Sequence, residues 1–196
     1  LKTNNMKLPI VAYGNPILKI KCKEIHVNYK DLNNLINDMW ETMYSASGVG
    51  LAAPQIGKAI RLFIVDASPF AEDKELNLKE RNKLKNFKKV FINPKITWSS
   101  SNLCSFNEGC LSIPDVREDV KREDQIEIQY QNEKFENEIL KLDGLSARVV
   151  QHEFDHIEGV LFTDKLSSFK KKLLRSKLRD ISIGKVKCEY PMQFLK

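Results

Sequence analysis

The stretch His152-Glu153-Phe154-Asp155-His156 is the most informative part of the sequence, because it places two of the chain's three histidines close together. In an α-helix, residues four apart lie on one face, so both imidazoles could bind a single cation. Glu153 would then lie beside the cation without binding it, where it could accept a proton from water. The HExxH pattern therefore predicts a hydrolytic metal site.

The residues around this pattern predict that it lies on a helix. Asp143 and Gly144 form a start signal, and Gly159 forms a stop signal. Between them, four residues follow helical spacing: Leu145, Val149, His152 and His156. The alternative is that the two histidines are ordinary residues on the flank of this helix.

A hydrolytic metal site normally has three protein ligands and one position open to water. The longer zinc-protease pattern HExxHxxGxxH is matched as far as Gly159, but its last position holds Phe162, which cannot bind a metal. Neither Glu158, on the same helix, nor Glu189 is well placed. His26 lies in a polar N-terminal stretch without a partner. The third ligand is therefore sought among the cysteines.

Cys110 meets the requirement best, in the segment Glu108-Gly109-Cys110-Leu111-Ser112-Ile113-Pro114. The preceding glycine lets the backbone approach closely, and a thiolate is a strong ligand for zinc or ferrous iron. The usual alternative for a cysteine is burial in an apolar core. We expect that alternative for Cys22, Cys104 and Cys188.

A third segment, Gly48-Val49-Gly50-Leu51-Ala52-Ala53-Pro54-Gln55, predicts a tight backbone turn that could line a cleft. Gln55 could donate an amide hydrogen to a developing oxyanion. The segment follows a helical stretch and lacks Gly-Lys-Ser/Thr, so a phosphate-binding loop is not expected.

In this order, the three segments resemble the motifs of the peptide deformylase family, GxGLAAPQ, EGCLS and QHExDH. They are intact at residues 48–55, 108–112 and 151–156, and the resemblance extends from about residue 8 to residue 162. The resemblance implies metal-dependent hydrolysis of the N-formyl group from the N-terminal formylmethionine of newly made polypeptides, releasing formate.

The resemblance also implies a role for each motif residue. Cys110, His152 and His156 would bind one divalent metal ion, and Glu153 would be the general acid and base. The family favours Fe²⁺ in the cell, with Zn²⁺ or Ni²⁺ able to occupy the same ligands. The formyl oxygen would be held by Gln55 and by the backbone N–H of Leu111.

Substrate-binding residues follow from the same resemblance. Gly50 would contact the substrate backbone, and Arg117 matches a position near the path of the substrate. The positions that match the pocket for the methionine side chain are Val49, Phe106, Leu145, Arg148 and Val149.

Composition agrees with a single catalytic domain over residues 6–196, since the chain is long enough for one sizeable core and nothing divides it. Residues 1–5 precede Met6 and are interpreted as an upstream or expression-derived remnant. There is no 18-residue apolar run, no signal-peptide pattern and no disulfide framework. We therefore expect a bacterial-type cytoplasmic protein, with an organelle as the alternative and with neither a membrane nor DNA as a partner.

Hydrophobic periodicity predicts an α+β fold, which is also the fold of the family. Antiparallel and mixed strands would surround the central HExxH helix, with strand-like runs at 60–65, 90–93, 125–130 and 134–140. Asp31 is expected to cap another helix. The apolar side of that helix would be formed by Leu32, Leu35, Ile36, Met39 and Met43.

Two further segments have their own interpretations. Residues 71–88 are rich in Lys and Glu and predict a surface insertion that is helical in part. Residues 166–181 predict a basic C-terminal helix, because residues 165–179 contain seven basic residues and no acidic one. It is either a packed helix with a solvated face or a contact for ribosomal RNA. Its apolar side would comprise Leu166, Phe169, Leu173, Leu178 and Ile181.

Two functions of other classes remain open from the residues alone. A zinc endoprotease shares HExxH but needs a third histidine or glutamate ligand, which this chain lacks. A non-catalytic ribosome-associated protein would use the basic helix and keep a degenerate site, yet no ligand, base or oxyanion donor is missing.

Overall fold

Residues 6–195, which the computed structural model describes, form four α-helices and nine strands. In chain order these are β1 (Ile10–Val11), α1 (Leu32–Ser45), β2 (Gly50–Ala52), β3 (Leu62–Asp66), α2 (Leu78–Lys85), β4 (Lys88–Ser99), β5 (Leu103–Cys110), β6 (Ile113–Glu123), β7 (Gln125–Gln131), β8 (Asn137–Asp143), α3 (Gly144–Ile157), α4 (Ser168–Ser182) and β9 (Met192–Gln193). Short 3₁₀ helices lie at Pro16–Lys19, Ala53–Ile56, Ser68–Glu72 and Phe162–Lys165. Our interpretation of residues 1–5 lies outside the described residues.

A five-stranded antiparallel sheet with the order β2-β3-β4-β7-β8 lies between two helices. Strand β3 is buried along its whole length, and alternate residues of a strand point to opposite faces. Phe63 and Val65 therefore pack with apolar residues of α3. Leu62 and Ile64 pack on the other face with residues of α1. The HExxH helix is thus held against the central sheet, as the predicted α+β fold requires.

The remaining strands form two small sheets. β5 and β6 make an antiparallel hairpin whose tip carries residues 110–113. The inner face of β6 shares an apolar cluster with the buried side of α4. β1 and β9 pair in parallel, with Ile10 opposite Met192. The combination of antiparallel and parallel pairs confirms the prediction of antiparallel and mixed strands.

The predicted helices are present, with one error in their capping. α3 lies between Asp143 and Gly159 as expected, and Gly159 adopts a φ of 75°, which favours glycine. α1 begins directly after Asp31, but that residue has a φ of 59° and its side chain makes no capping hydrogen bond. The prediction that Asp31 caps the helix through its side chain is therefore wrong.

The strand predictions are confirmed in part. The runs at 60–65, 90–93 and 125–130 lie in or overlap β3, β4 and β7, while 134–140 overlaps β8 only from Asn137 onward. The hairpin of β5 and β6 was not expected, because its exposed face carries many charged residues. The predicted tight turn at 48–55 is wrong in form, since Gly50–Ala52 is a strand and Ala53–Ile56 is a 3₁₀ helix.

The two charged segments differ in how they pack. Residues 71–88 contain α2, which Asn77 caps, and Leu84 and Phe87 bury their side chains in the core. The basic segment forms α4, with Leu166, Leu178 and Ile181 buried. Phe169 and Leu173 are 71% and 65% exposed, so their predicted place on the packed side is wrong.

The cysteine predictions hold for one residue. Cys22 is buried, whereas Cys104 is exposed and Cys188 is half-buried, so the expectation of core packing is wrong for these two. Within residues 6–195, no helix is both long enough and apolar enough to cross a membrane.

Candidate metal centre

The three sequence motifs meet at one cleft with a volume of about 930 Å³. β2 and the 3₁₀ helix after it supply the first motif, the tip of the β5–β6 hairpin supplies the second, and α3 supplies the third. Residues separated by up to about 100 positions in the chain are thereby brought together at the end of the central helix.

Cys110 and His152 line this cleft and form a cluster with His156, which is buried. One ligand atom from each lies within 4.8 Å of the others, and Cys110 Sγ is 3.2 Å from His156 Nε2. The two histidines are one helical turn apart on α3, and the cysteine ends β5. A thiolate and two imidazoles match the donors that Zn²⁺ and Fe²⁺ accept.

A buried ion network holds His152 in place. Nδ1 of His152 lies 2.9 Å from Oε2 of Glu108. Arg122 donates to both oxygens of this carboxylate, at 2.7 and 2.9 Å, and Arg148 donates to Oε1 at 2.9 Å. Arg122 also binds Asp155 of the HExxH motif. A carboxylate on the outer nitrogen of a histidine fixes the orientation of the ring, as is common around metal ligands.

The charge of this network is set by its hydrogen bonds. Burial would raise the pKa of Glu108, but hydrogen bonds from Arg122 and His152 hold this pKa well below its ordinary value. Burial would lower the pKa of His152, yet Cys110 and Glu108 raise it to about 10. A cation at these atoms would replace the proton on His152, because a metal ligand must be unprotonated.

His156 and Glu153 are buried in a different electrostatic setting. Burial lowers the pKa of His156 well below its ordinary value, so this imidazole is neutral and able to bind a metal. Burial raises the pKa of Glu153 to about 7, which suits a group that takes up and releases a proton. Among the described residues, Oε2 of Glu153 and Nδ1 of His156 have no hydrogen-bond partner.

Gly50 allows the backbone of β2 to approach this glutamate closely. A Cβ at position 50 would clash with Oε1 of Glu153 and lie 2.7 Å from its Cδ, so one of the two would have to move. The glycine is therefore required by the proximity of strand and carboxylate rather than by its backbone conformation.

The side chain of Gln55 is fixed at both ends. Its oxygen accepts the N–H of Ala52 at 2.8 Å, and its nitrogen lies 3.3 Å from Oγ of Ser112 and 3.5 Å from Sγ of Cys110. The neighbouring N–H of Leu111 has no acceptor within residues 6–195. Gln55 and Leu111 both line the cleft next to Cys110.

A family model described as polypeptide deformylase matches residues 7–172. The chain belongs to the peptide deformylase family. A peptide deformylase from Christiangramia forsetii is 56% identical over 189 residues, which cover 96% of each protein. One from Flavobacterium psychrophilum is 53% identical over 97% of this chain and 98% of the relative.

Solved structures of peptide deformylases share the fold. The structure from Legionella pneumophila has a TM-score of 0.76 and 34% identity, covering 89% of this chain and 95% of that one. Peptide deformylase 1B from Arabidopsis thaliana has a TM-score of 0.76 and 35% identity, with 89% and 90% covered.

Most of the predicted substrate residues line the deformylase cleft. These are Val49, Gly50, Phe106, Arg117, Arg148 and Val149. Leu145 does not; it lies in the first turn of α3 and borders a smaller depression beside α2. Arg148 is buried, and its guanidinium also donates to the carbonyls of Val120 and Cys104. Arg117 is exposed and donates to Asn107.

Sequence reasoning missed three contributors to the deformylase site. Arg122 is buried in phase with Val116 and Val120, so an alternating pattern over β6 would have revealed an inward-facing arginine. Phe70 lines the cleft from the surface segment after β3, and residues 187–190 line it from beyond α4. These two lie far from any motif, and no local pattern in the sequence indicates them.

Proposed function

We propose that Cys110, His152 and His156 hold the divalent cation of this peptide deformylase and that Glu153 moves the proton during the reaction. The protein hydrolyses the formyl group from the N-terminal formylmethionine of newly made polypeptides, which is the function of its family. The observation that carries the residue assignment is the convergence of one thiolate and two imidazoles beside a buried, unpartnered carboxylate.

The donor set fits a divalent cation with one position left for water. Three protein ligands are typical of a catalytic site, whereas structural sites usually have four. A cation held there acts as a Lewis acid and lowers the pKa of water from about 15.7 toward about 7. Glu108 keeps His152 oriented toward the cluster by accepting its Nδ1 hydrogen.

Glu153 is proposed as both base and acid. Its carboxylate takes a proton from the attacking water, which adds to the formyl carbon. The same carboxyl group then returns the proton to the departing amine, so that formate and a free N-terminal methionine result. A pKa near 7 allows both steps at neutral pH.

Gln55 and the N–H of Leu111 are proposed to stabilise the charge that develops on the formyl oxygen. Both donors flank Cys110, and the rigid attachment of Gln55 to Ala52 means that it needs no reorganisation during the reaction. Removing one such donor typically costs about 10²–10³ in rate.

The methionine side chain is proposed to bind against Val49, Phe106 and Val149, which line the cleft on its apolar side. Arg148 lies at the edge of this region, and its charge is neutralised by the ion pair with Glu108. The role of Leu145 stays a prediction from the family resemblance, and so do the contacts of Gly50 and Arg117 with substrate.

The test is formate release from a short formyl-Met peptide, with metal content measured on the same sample. The matching acetyl-Met peptide is the control for selectivity toward the formyl group. We expect formate release that a chelator abolishes and added metal restores. Metal-loaded protein that releases no formate would refute the assignment.

Fe²⁺ is proposed as the cation in the cell, with Zn²⁺ or Ni²⁺ able to bind the same ligands. A thiolate beside two imidazoles suits ferrous iron as well as zinc, and a cysteine at an open iron site is prone to oxidation. Protein purified without oxygen should contain iron and lose activity in air. Activity that survives air with zinc bound would contradict the iron proposal.

We also propose that the protein acts in the cytoplasm as a single domain and that α4 contacts ribosomal RNA. Lys170 pairs with Glu118, and Lys171 donates to the carbonyl of Asp164. Within residues 6–195, no ion pair engages the other exposed cations of this face, Lys172, Arg175 and Arg179.

Replacing Lys172, Arg175 and Arg179 by glutamine should weaken ribosome binding and reduce its salt dependence, since fewer phosphate contacts remain. The matched control replaces three exposed lysines in loops and turns away from α4, Lys30, Lys58 and Lys134, and removes the same charge. Equal loss in both variants would mean that α4 is only a solvated face.

A further inference from the structure

The chain returns to the cleft after α4. Residues 187–190 line the cleft beside the tip of the β5–β6 hairpin, although the match to the family model ends at residue 172. Lys187 and Glu189 are exposed there, whereas Cys188 and Tyr190 are half-buried. This segment therefore forms a wall of the cleft that no motif of the family includes.

Backbone hydrogen bonds fix this wall to the body of the protein. The N–H of Ile10 donates to the carbonyl of Pro191 at 2.8 Å, and the N–H of Ala12 donates to the carbonyl of Gln193 at 2.9 Å. On the far side of β1, the N–H of Tyr13 donates to the carbonyl of Ser112 at 2.8 Å. β1 thus links the C-terminal strand to the hairpin tip.

Apolar packing supports the same arrangement. Val186, Met192 and Phe194 pack against the cluster that includes Ile113. The ring of Phe194 also lies over Gly184, where a Cβ would be 3.3 Å from it. The segment around residue 190 is therefore anchored on both sides.

Tyr190 connects this wall to the tip of the hairpin through its side chain. Its hydroxyl donates to the carbonyl of Leu111 at 2.8 Å. Burial raises the pKa of Tyr190 above its ordinary range, so the hydroxyl stays a proton donor. The carbonyl it holds belongs to Leu111, which lines the cleft and whose N–H has no acceptor within residues 6–195.

The turn 111–112 is consequently held at three points. Tyr190 binds the carbonyl of Leu111, Tyr13 binds the carbonyl of Ser112, and Gln55 binds the hydroxyl of Ser112. Among the described residues, the N–H groups of Leu111 and Ser112 are left without an acceptor. The Leu111 N–H lies in the peptide plane that follows Cys110, which is paired with Ile113, and this plane meets the plane held by Tyr190 at the Leu111 α-carbon. Because peptide planes are rigid, fixing both neighbours limits how far this N–H can turn.

We infer that Tyr190 is a positioning residue for the oxyanion donor of Leu111, with residues 187–190 forming one wall of the substrate cleft. The inference rests on the proposed function, since it assigns a purpose to the Leu111 N–H. Oxyanion donors act only at the geometry of the transition state, so a small rotation of this turn lowers turnover more than it weakens substrate binding.

The test is Tyr190→Phe, which removes the hydroxyl and keeps the ring. We expect kcat to fall by about tenfold, less than the ~10²–10³ for loss of a donor, with KM within about twofold and metal content unchanged. The matched control is Tyr130→Phe, whose hydroxyl donates to Glu138 on β8 and which we expect to leave kcat unchanged.

A second readout does not depend on turnover. In Zn²⁺-loaded protein labelled with ¹⁵N-leucine, the Leu111 amide resonance should shift in Tyr190→Phe and stay in place in Tyr130→Phe. Unchanged kcat, an unmoved Leu111 resonance, or a loss of metal would each overturn the inference. If the parent protein releases no formate, the proposed function fails instead, and the Leu111 resonance still reports whether Tyr190 holds the turn.

Discussion

Replacing Glu108 by glutamine tests whether the buried ion network both stabilises the fold and orients a metal ligand. The substitution keeps the shape of the side chain but removes its charge and one of its two acceptor atoms. In the parent, the two carboxylate oxygens face two nitrogens of Arg122, one nitrogen of Arg148 and Nδ1 of His152. An amide NH₂ in the same place would point its hydrogens at other donors.

The expected magnitude follows from the burial of these groups. Glu108, Arg122 and Arg148 are all buried, and breaking a buried ion pair from one side typically costs about 3–5 kcal/mol. Loss of the partner on a ligand histidine typically lowers metal affinity by about 10–100-fold. Asp155 still neutralises Arg122, so we expect the lower end of the stability range.

Urea unfolding of chelator-treated protein measures the stability effect without a contribution from the metal, and competition with a chelator measures metal affinity. The matched control is Glu118→Gln, at the position directly opposite Glu108 on the neighbouring strand β6. Glu118 pairs with Lys170 at the surface, where such pairs are worth about 0–1 kcal/mol. If Glu108→Gln unfolds like the control and binds metal like the parent, the network has neither of the two roles assigned to it.

Four further substitutions give distinct outcomes. Cys110→Ala should lose most bound metal, because two imidazoles are too few ligands; full metal occupancy by elemental analysis would exclude Cys110 as a ligand. Glu153→Gln should keep its metal while kcat falls by about 10²–10⁴, and a variant that instead loses metal would show Glu153 to be a ligand. Gly50→Ala should lower kcat at unchanged metal content, because its Cβ would displace the Glu153 carboxylate; parental kcat would contradict the close approach. Asp66→Asn should destabilise the metal-free protein by about 1.5–3 kcal/mol at pH 7 in urea unfolding, because Asp66 accepts charged hydrogen bonds from Tyr44 and Ser68. Burial would raise the pKa of Asp66, but these hydrogen bonds hold it below its ordinary 3.8. The stabilisation is present above that value and is lost as the pH falls through the lower folded pKa, so a gap between parent and variant that persists in strong acid would refute the assignment.

The sequence was sufficient to predict the parts of the site that lie in short motifs. His152 and His156 are related by a helical period, and Cys110 could be found by elimination and by resemblance. The network behind them could not be found in this way, because Glu108 and Arg122 meet only through the pairing of β5 and β6. That hairpin was not predicted, since its charged outer face masks the alternation of its inner face.

The error at 48–55 has a different physical cause. Glycine and proline usually mark turns, but Gly50 is required because Glu153 packs against its α-carbon. Local composition indicates which backbone conformations a segment can adopt. Which of them it does adopt depends on the other elements that pack against it. Phe169 and Leu173 illustrate the same limit. Both are apolar residues at the spacing expected for the buried side of a helix, yet no part of the described structure covers them.

The parallel pairing of β1 with β9 has a consequence for how the protein becomes active. The two strands are about 180 residues apart in the chain. We expect their contact to be among the last to form, because closing a long loop costs entropy and slows folding. During synthesis, the wall at residues 187–190 cannot form until the C-terminal strand has left the ribosome. Refolding experiments should therefore show the helices and central sheet forming first, with formate release recovering in a later and slower phase.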